Sequence, residues 1–158
     1  MRISPEAPIP DWDSFQSALE SPDLELRFYF DVVTGEVHVT GPFEDEPGEQ
    51  ERIDGDPLRY RAIDRVEGAE EVAWMERFAA DADPRARPAL RDALERPKPA
   101  RRFRAVLQHW RAEQERWYQF REAMIQASIE QWFVERGLLV GGPPPWHRGG
   151  VAAEAQVG

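Results

Sequence analysis

The sequence has 158 residues, 41% of them hydrophobic and 32% charged, with a net charge of −10. That is enough apolar material for one domain with a real core, and it excludes general disorder. There is no Cys, which excludes disulfides, thiolate metal sites and cysteine nucleophiles.

Asp11, after Pro10, suits a helix N-cap. Trp12, Phe15, Ala18 and Leu19 follow at helical spacing until Ser21-Pro22-Asp23 stops the run. Strand alternation comes next. Leu24, Leu26, Phe28 and Phe30 share one side, and Glu25, Arg27, Tyr29 and Asp31 the other. Asp31-Val32-Val33-Thr34-Gly35-Glu36 reads as a hairpin connection, because Asp bonds its own turn backbone and Gly tolerates positive φ. Val37 and Val39 resume the apolar side. A four-residue loop pairs Phe30 with Val37 and Phe28 with Val39.

Residues 41–57 are rich in acid, Pro and Gly, and an irregular excursion is expected there. Its acidic run includes Glu44, Asp45, Glu46, Glu49 and Glu51. Residues 58–63 suit a third strand. Helical stripes then follow in order: Val72, Met75, Phe78 and Ala79; Ala86, Ala89, Leu90, Ala93 and Leu94; Phe103, Val106, Leu107 and Trp110; and a long run from Trp117 to Phe133 that closes at Gly137. From Gly141 the composition turns to Gly, Pro and small residues. The expected organisation is a single α+β domain over residues 1–140 and a flexible Gly/Pro-rich tail over 141–158. The domain is a small antiparallel sheet of about three strands with an N-terminal helix and a C-terminal helical layer.

Four segments together, in this order and spacing, resemble the bacterial uncharacterised protein family UPF0158. They are Phe28-Tyr29-Phe30-Asp31-x-x-Thr34-Gly35-Glu36-Val37, Arg101-Arg102-Phe103-Arg104-x-Val106-Leu107, Trp117-Tyr118-x-Phe120-Arg121 and Trp132-Phe133-x-x-x-Gly137. The resemblance covers roughly residues 12–138. It implies no established activity and no catalytic residues. It does imply a helix-breaking stretch between the third and fourth of the long C-terminal stripes. Trp110-Arg111-Ala112-Glu113 contains neither Pro nor Gly, so those two helices are expected to run on with only a kink.

Charge is uneven. Residues 1–84 hold 7 basic and 22 acidic side chains, and residues 85–158 hold 13 and 8. Such asymmetry points to a partner surface or to two halves that neutralise each other in the fold. Residues 85–121 are the most basic stretch, with 11 basic and 4 acidic side chains. Arg101, Arg104, Arg111 and Arg116, with Trp110, are therefore the candidate binding residues, since Arg beside aromatic rings grips phosphates and stacks on bases. With Phe103, Val106, Leu107 and Trp110 inward, Arg101 and Arg104 lie toward solvent, and Arg111 extends that strip if the helix continues.

No phosphate-binding glycine loop, nucleophile elbow or His-Glu-x-x-His pattern occurs, so no catalytic residue, metal ligand or cofactor is assigned. His38, opposite Tyr29 and near Asp31, is the one place where acid–base chemistry has the right residue types. The opening Met1-Arg2-Ile3-Ser4-Pro5 lacks the apolar run of a leader, and no stretch approaches the ~20 apolar residues of a bilayer span. A cytoplasmic protein with no membrane partner is expected. Three functional readings stand side by side: a non-enzymatic binding or regulatory module acting through a protein partner or a homodimer contact; a nucleic-acid-associated protein using the Arg-rich helices; and a small hydrolase with a carboxylate and His38.

Overall fold

A computed structural model describes residues 1–43 and 46–147. In chain order the elements are α1 (Trp12–Glu20), β1 (Arg27–Asp31), β2 (Val37–Thr40), α2 (Glu49–Asp54), β3 (Tyr60–Ile63), α3 (Gly68–Ala80), α4 (Arg87–Leu94), α5 (Pro99–Leu107) and α6 (Arg111–Glu135). The α+β class, the N-terminal helix and the C-terminal helices are as the periodicity predicts. The chain divides into two compact units, Met1–Arg65 with Gln126–Gly158, and Val66–Ile125. Each unit gathers an aromatic core of its own.

In the first unit, alternation builds an antiparallel sheet of order β2-β1-β3. The hairpin register pairs Phe30 with Val37 and Phe28 with Val39, the pairing that a four-residue loop dictates. Asp11 caps α1 by accepting the Ser14 N–H at 3.1 Å, and Trp12, Phe15, Ala18 and Leu19 are buried. Phe30 meets Phe15, Trp132 and Phe133 with ring centroids 5.9, 5.7 and 5.0 Å apart. Trp132 and Phe133 are adjacent on α6 and both buried, so two sides of that helix are covered.

The opposite face of the sheet is also covered, which the sequence did not suggest. Within the stretch read as irregular, α2 forms after Gly48, whose φ of +83° lies in the left-handed region. Ile53 of α2 is 1% exposed, and the Gln50 amide donates to the Tyr29 hydroxyl at 3.1 Å. A single buried residue in six is too little periodicity to read as a helix. Glu44 and Asp45 of the acidic run lie outside the described residues.

The second unit is helical. Phe103 lies 5.2 Å from Trp117 and 6.2 Å from Phe78, while Phe78 lies 5.5 Å from Trp117 and 5.8 Å from Phe120. Trp74, Met75, Leu90 and Leu107 complete the core. These contacts correct the expectation that the helices carrying Phe103 and Trp117 run on. In one straight helix, residues 14 apart lie ~21 Å apart along the axis. The chain instead turns at Gln108, His109 and Trp110, where the His109 and Trp110 N–H groups bond back to Val106 and Leu107 at 3.0 and 2.9 Å. Burial of Phe103 against Trp117 makes the break without Pro or Gly.

The segment read as a flexible tail from Gly141 is held through His147. The Gly141 N–H donates to the Pro8 carbonyl at 2.8 Å, and Ile3 and Val140 form a parallel bridge. Pro144 is buried. Trp146 packs edge-on to Trp12 at 5.6 Å and donates its indole N–H to Glu130 at 3.1 Å. Residues 148–158 of the expected tail lie outside the described residues.

Phe103 is fully buried. Phe103→Ala is expected to destabilise the helical unit by about 3–5 kcal/mol through lost burial and a cavity, read by urea unfolding with Trp fluorescence. A change within ~0.5 kcal/mol would contradict this packing.

Candidate functional site

The densest polar cluster lies where β1 ends. Asp31 is 1% exposed, yet its carboxylate accepts five hydrogen bonds. Oδ1 takes the Val33 and Thr34 N–H groups at 2.9 and 3.3 Å, closing the hairpin turn, and Arg59 Nε at 3.1 Å. Oδ2 takes Arg59 Nη2 and His38 Nε2, both at 3.0 Å. A carboxylate has no proton to give, so His38 Nε2 carries the hydrogen. The guanidinium of Arg59 sits 5.0 Å over the Tyr60 ring, and the His38 ring lies 5.4 Å from the same ring.

Burial alone pushes the Asp31 carboxyl up. The hydrogen bonds from Arg59, His38, Val33 and Thr34 together outweigh it and hold the group well below the usual carboxylate range. The bond to Asp31 raises Arg59 above its ordinary value.

The turn glycine is required twice over. Gly35 has φ +81°, and a Cβ there would come within 2.4 Å of the Ile9 carbonyl oxygen. Its own carbonyl accepts the Asp11 N–H at 2.8 Å, so the segment entering α1 lies directly on the hairpin turn.

An Asp–His pair is the arrangement that orients an imidazole for base work, and the donor atoms of Asp31, Glu36 and His38 lie within 4.8 Å of one another. Base work would fall to His38 Nδ1, since Nε2 donates to Asp31; a metal needs free lone pairs on Asp31, and Arg59 takes two of them with a positive charge already in place. A cavity of about 390 Å³ in the same unit is lined by Tyr29, Tyr60, Asp54, Asp64, Arg61 and Arg136 among others; Asp31 and His38 are not in its walls.

The predicted binding residues do not form one strip. Arg101 is exposed on α5. Arg104, on the same helix, lies 3.7 Å from Glu71 of α3. Arg111 belongs to the first turn of α6, beyond the turn that ends α5, and lies 3.8 Å from Glu115. Arg116 bonds buried Glu113 at 2.7 Å and stacks 5.7 Å over Phe78. Trp110 is half-buried, with the Arg85 guanidinium 5.8 Å over its ring. Residues 66–125 hold 12 basic and 11 acidic side chains, so the acidic residues of α3 and its flanks nearly cancel the Arg-rich stretch inside one unit.

Sequence reasoning missed the partners that matter most. Arg59 lies 28 residues from Asp31 in a turn before β3, and Glu113 accepts the Asp83 N–H from 30 residues away. No local periodicity marks either one.

The family pattern of UPF0158, described as an uncharacterised protein family, matches residues 11–139. The chain belongs to the uncharacterised protein family UPF0158. No curated protein and no solved structure matches it. The UPF0158 span begins at the N-cap of α1 and takes in the Asp31 cluster and the Arg-rich helices. It ends just before Val140 and the docked residues 141–147. No helix among the described residues is long and apolar enough to cross a membrane.

Because the Asp31 carboxyl is depressed in the folded state, its stabilisation is present above the unfolded value near 4 and is lost as pH falls toward the folded value. Urea unfolding at stepped pH is expected to show Asp31→Asn losing less of its remaining stability between about pH 5 and pH 2 than the wild type loses. At neutral pH, Arg59→Ala is expected to lower the urea midpoint, because it removes two of the five hydrogen bonds to the buried Asp31 carboxylate.

Proposed function

We propose that this UPF0158 chain is a non-enzymatic binding module that acts through protein contacts, using the open end of the β1/β2 hairpin. The observation that carries this reading is the exposure there of large apolar side chains. Phe43 is 92% exposed and Leu24 82%. The strand pairing ends at Arg27 and Thr40; Leu24 lies in the turn just before it, Phe43 in the bend just after it, and the Leu26 side chain lies against Gly41. Val39 of β2 is also exposed, and β2 pairs only with β1 among the described residues, so its outer backbone groups stand ready for another strand. Apolar side chains concentrated beside an open strand edge favour a protein ligand.

The chemistry-bearing groups point the same way. Arg59 already occupies Asp31 with two hydrogen bonds, and neither Asp31 nor His38 lies in the wall of the cavity lined by Tyr29 and Tyr60, which weighs against a hydrolase. The unit that carries the Arg-rich stretch has near-balanced charge, which weighs against a phosphate backbone as ligand. Cytoplasmic residence and a bacterial source fit the same reading.

The test compares the wild type with a Leu24→Ser, Phe43→Ser double variant as immobilised bait in a bacterial lysate. A protein retained in stoichiometric amount by the wild type, lost by the variant and binding directly once purified is the expected result. Equal retention by both baits removes the hairpin end from the reading. Nucleic acid as the only material retained by the wild type would replace it.

A further inference from the structure

Residues 143–147, Pro-Pro-Pro-Trp-His, sit on the fold as a ligand sits in a site. Trp146 lays its ring edge-on to Trp12, which itself packs against Phe133 at 5.6 Å. One carboxylate holds both polar tips: Glu130 Oε2 accepts the Trp146 indole N–H at 3.1 Å, and Oε1 lies 2.6 Å from His147 Nε2. The three prolines restrict φ before docking, which lowers the ordering cost of binding. An aromatic floor, one two-toothed acceptor and a stiff incoming chain are the parts of a peptide-recognition site.

The fit has a gap. The Trp12 side chain is buried, and its Nε1–H has no acceptor among the described residues. An unmet buried donor favours any ligand that supplies a carbonyl there. The first unit as a whole carries 19 acidic and 8 basic residues, so a cationic competitor is drawn to it.

We infer that Trp12, Phe133 and Glu130 form a peptide-binding cleft that the chain occupies with its own residues 143–147, and that its partner is a proline-rich protein segment bearing a tryptophan followed by an imidazole or cationic side chain. The chain's own segment acts as an intramolecular competitor, because tethering gives it an effective concentration on the order of millimolar. This cleft is separate from the hairpin end, and its test is independent of that surface.

The experiment is a fluorescence-anisotropy titration of a labelled, C-terminally amidated peptide, Gly-Gly-Pro-Pro-Pro-Trp-His, against the full chain. Trp146→Ala is expected to bind it at least tenfold more tightly than the wild type, since the competitor has lost its anchor. Adding Glu130→Ala is expected to remove that gain, and a peptide with Ala in place of Trp is expected not to bind. A circular-dichroism melt confirms that each variant is folded. If Trp146→Ala melts below the assay temperature, Trp146→Phe takes its place, keeping the ring and dropping the donor, with a smaller gain expected. Equal affinity of wild type and variant, or no binding by a folded variant at millimolar peptide, overturns the inference. A wild-type dimer that Trp146→Ala converts to monomer would assign the cleft to a second copy and overturn the intramolecular arrangement.

Discussion

The Asp31 carboxylate is the point on which the first unit depends. A carboxylate at 1% exposure stays ionised only if the donors around it repay its lost hydration. Here they come from three separate stretches of chain: the turn at Val33 and Thr34, His38 on β2, and Arg59 before β3. The carboxylate therefore fixes the hairpin, its partner strand and the entry to the third strand at one place. Removing any one donor leaves a buried charge undercompensated, so the geometry is specified more sharply than apolar packing alone would specify it.

Around that point the apolar side chains sort themselves. Phe28 and Phe30 leave the strand on the side away from Asp31 and join Phe15, Trp132 and Phe133. Gly35 lets the backbone at Ile9 lie on the turn, which sets where α1 starts. The helical unit repeats the logic with a different polar centre. Buried Glu113, on the first turn of α6, accepts the Asp83 N–H and the Arg116 guanidinium, while Phe78, Phe103 and Trp117 fill the interior. In both units a buried carboxylate orders backbone and aromatic rings supply the burial.

The charges of the helical unit are likewise paired among themselves. Arg104 and Arg121 both reach Glu71, and Arg85 lies 3.0 Å from Asp83. Surface pairs of this kind add little stability, but they lower the net positive potential that a polyanion would need. In the first unit, Leu24, Val39 and Phe43 are among the large apolar side chains that stay turned outward.

The sequence by itself determined the elements whose signal is local. Period-2 alternation gave β1, β2 and their register, because a hairpin loop of known length leaves one pairing that keeps Phe28 and Phe30 with Val39 and Val37. Helical spacing located α1 and the long helices, and the order of four short segments pointed to UPF0158. Only the tertiary structure decided what depends on contacts distant in sequence. Arg59 reaches Asp31 across 28 residues, Phe103 meets Trp117 and so forces a turn with no Pro or Gly, and Glu130 captures Trp146 out of a stretch whose composition reads as loose. Local patterns record how a residue meets its neighbours within a turn or a strand pair. A charge that finds its partner, or a ring that finds its floor, across tens of residues leaves no period to read.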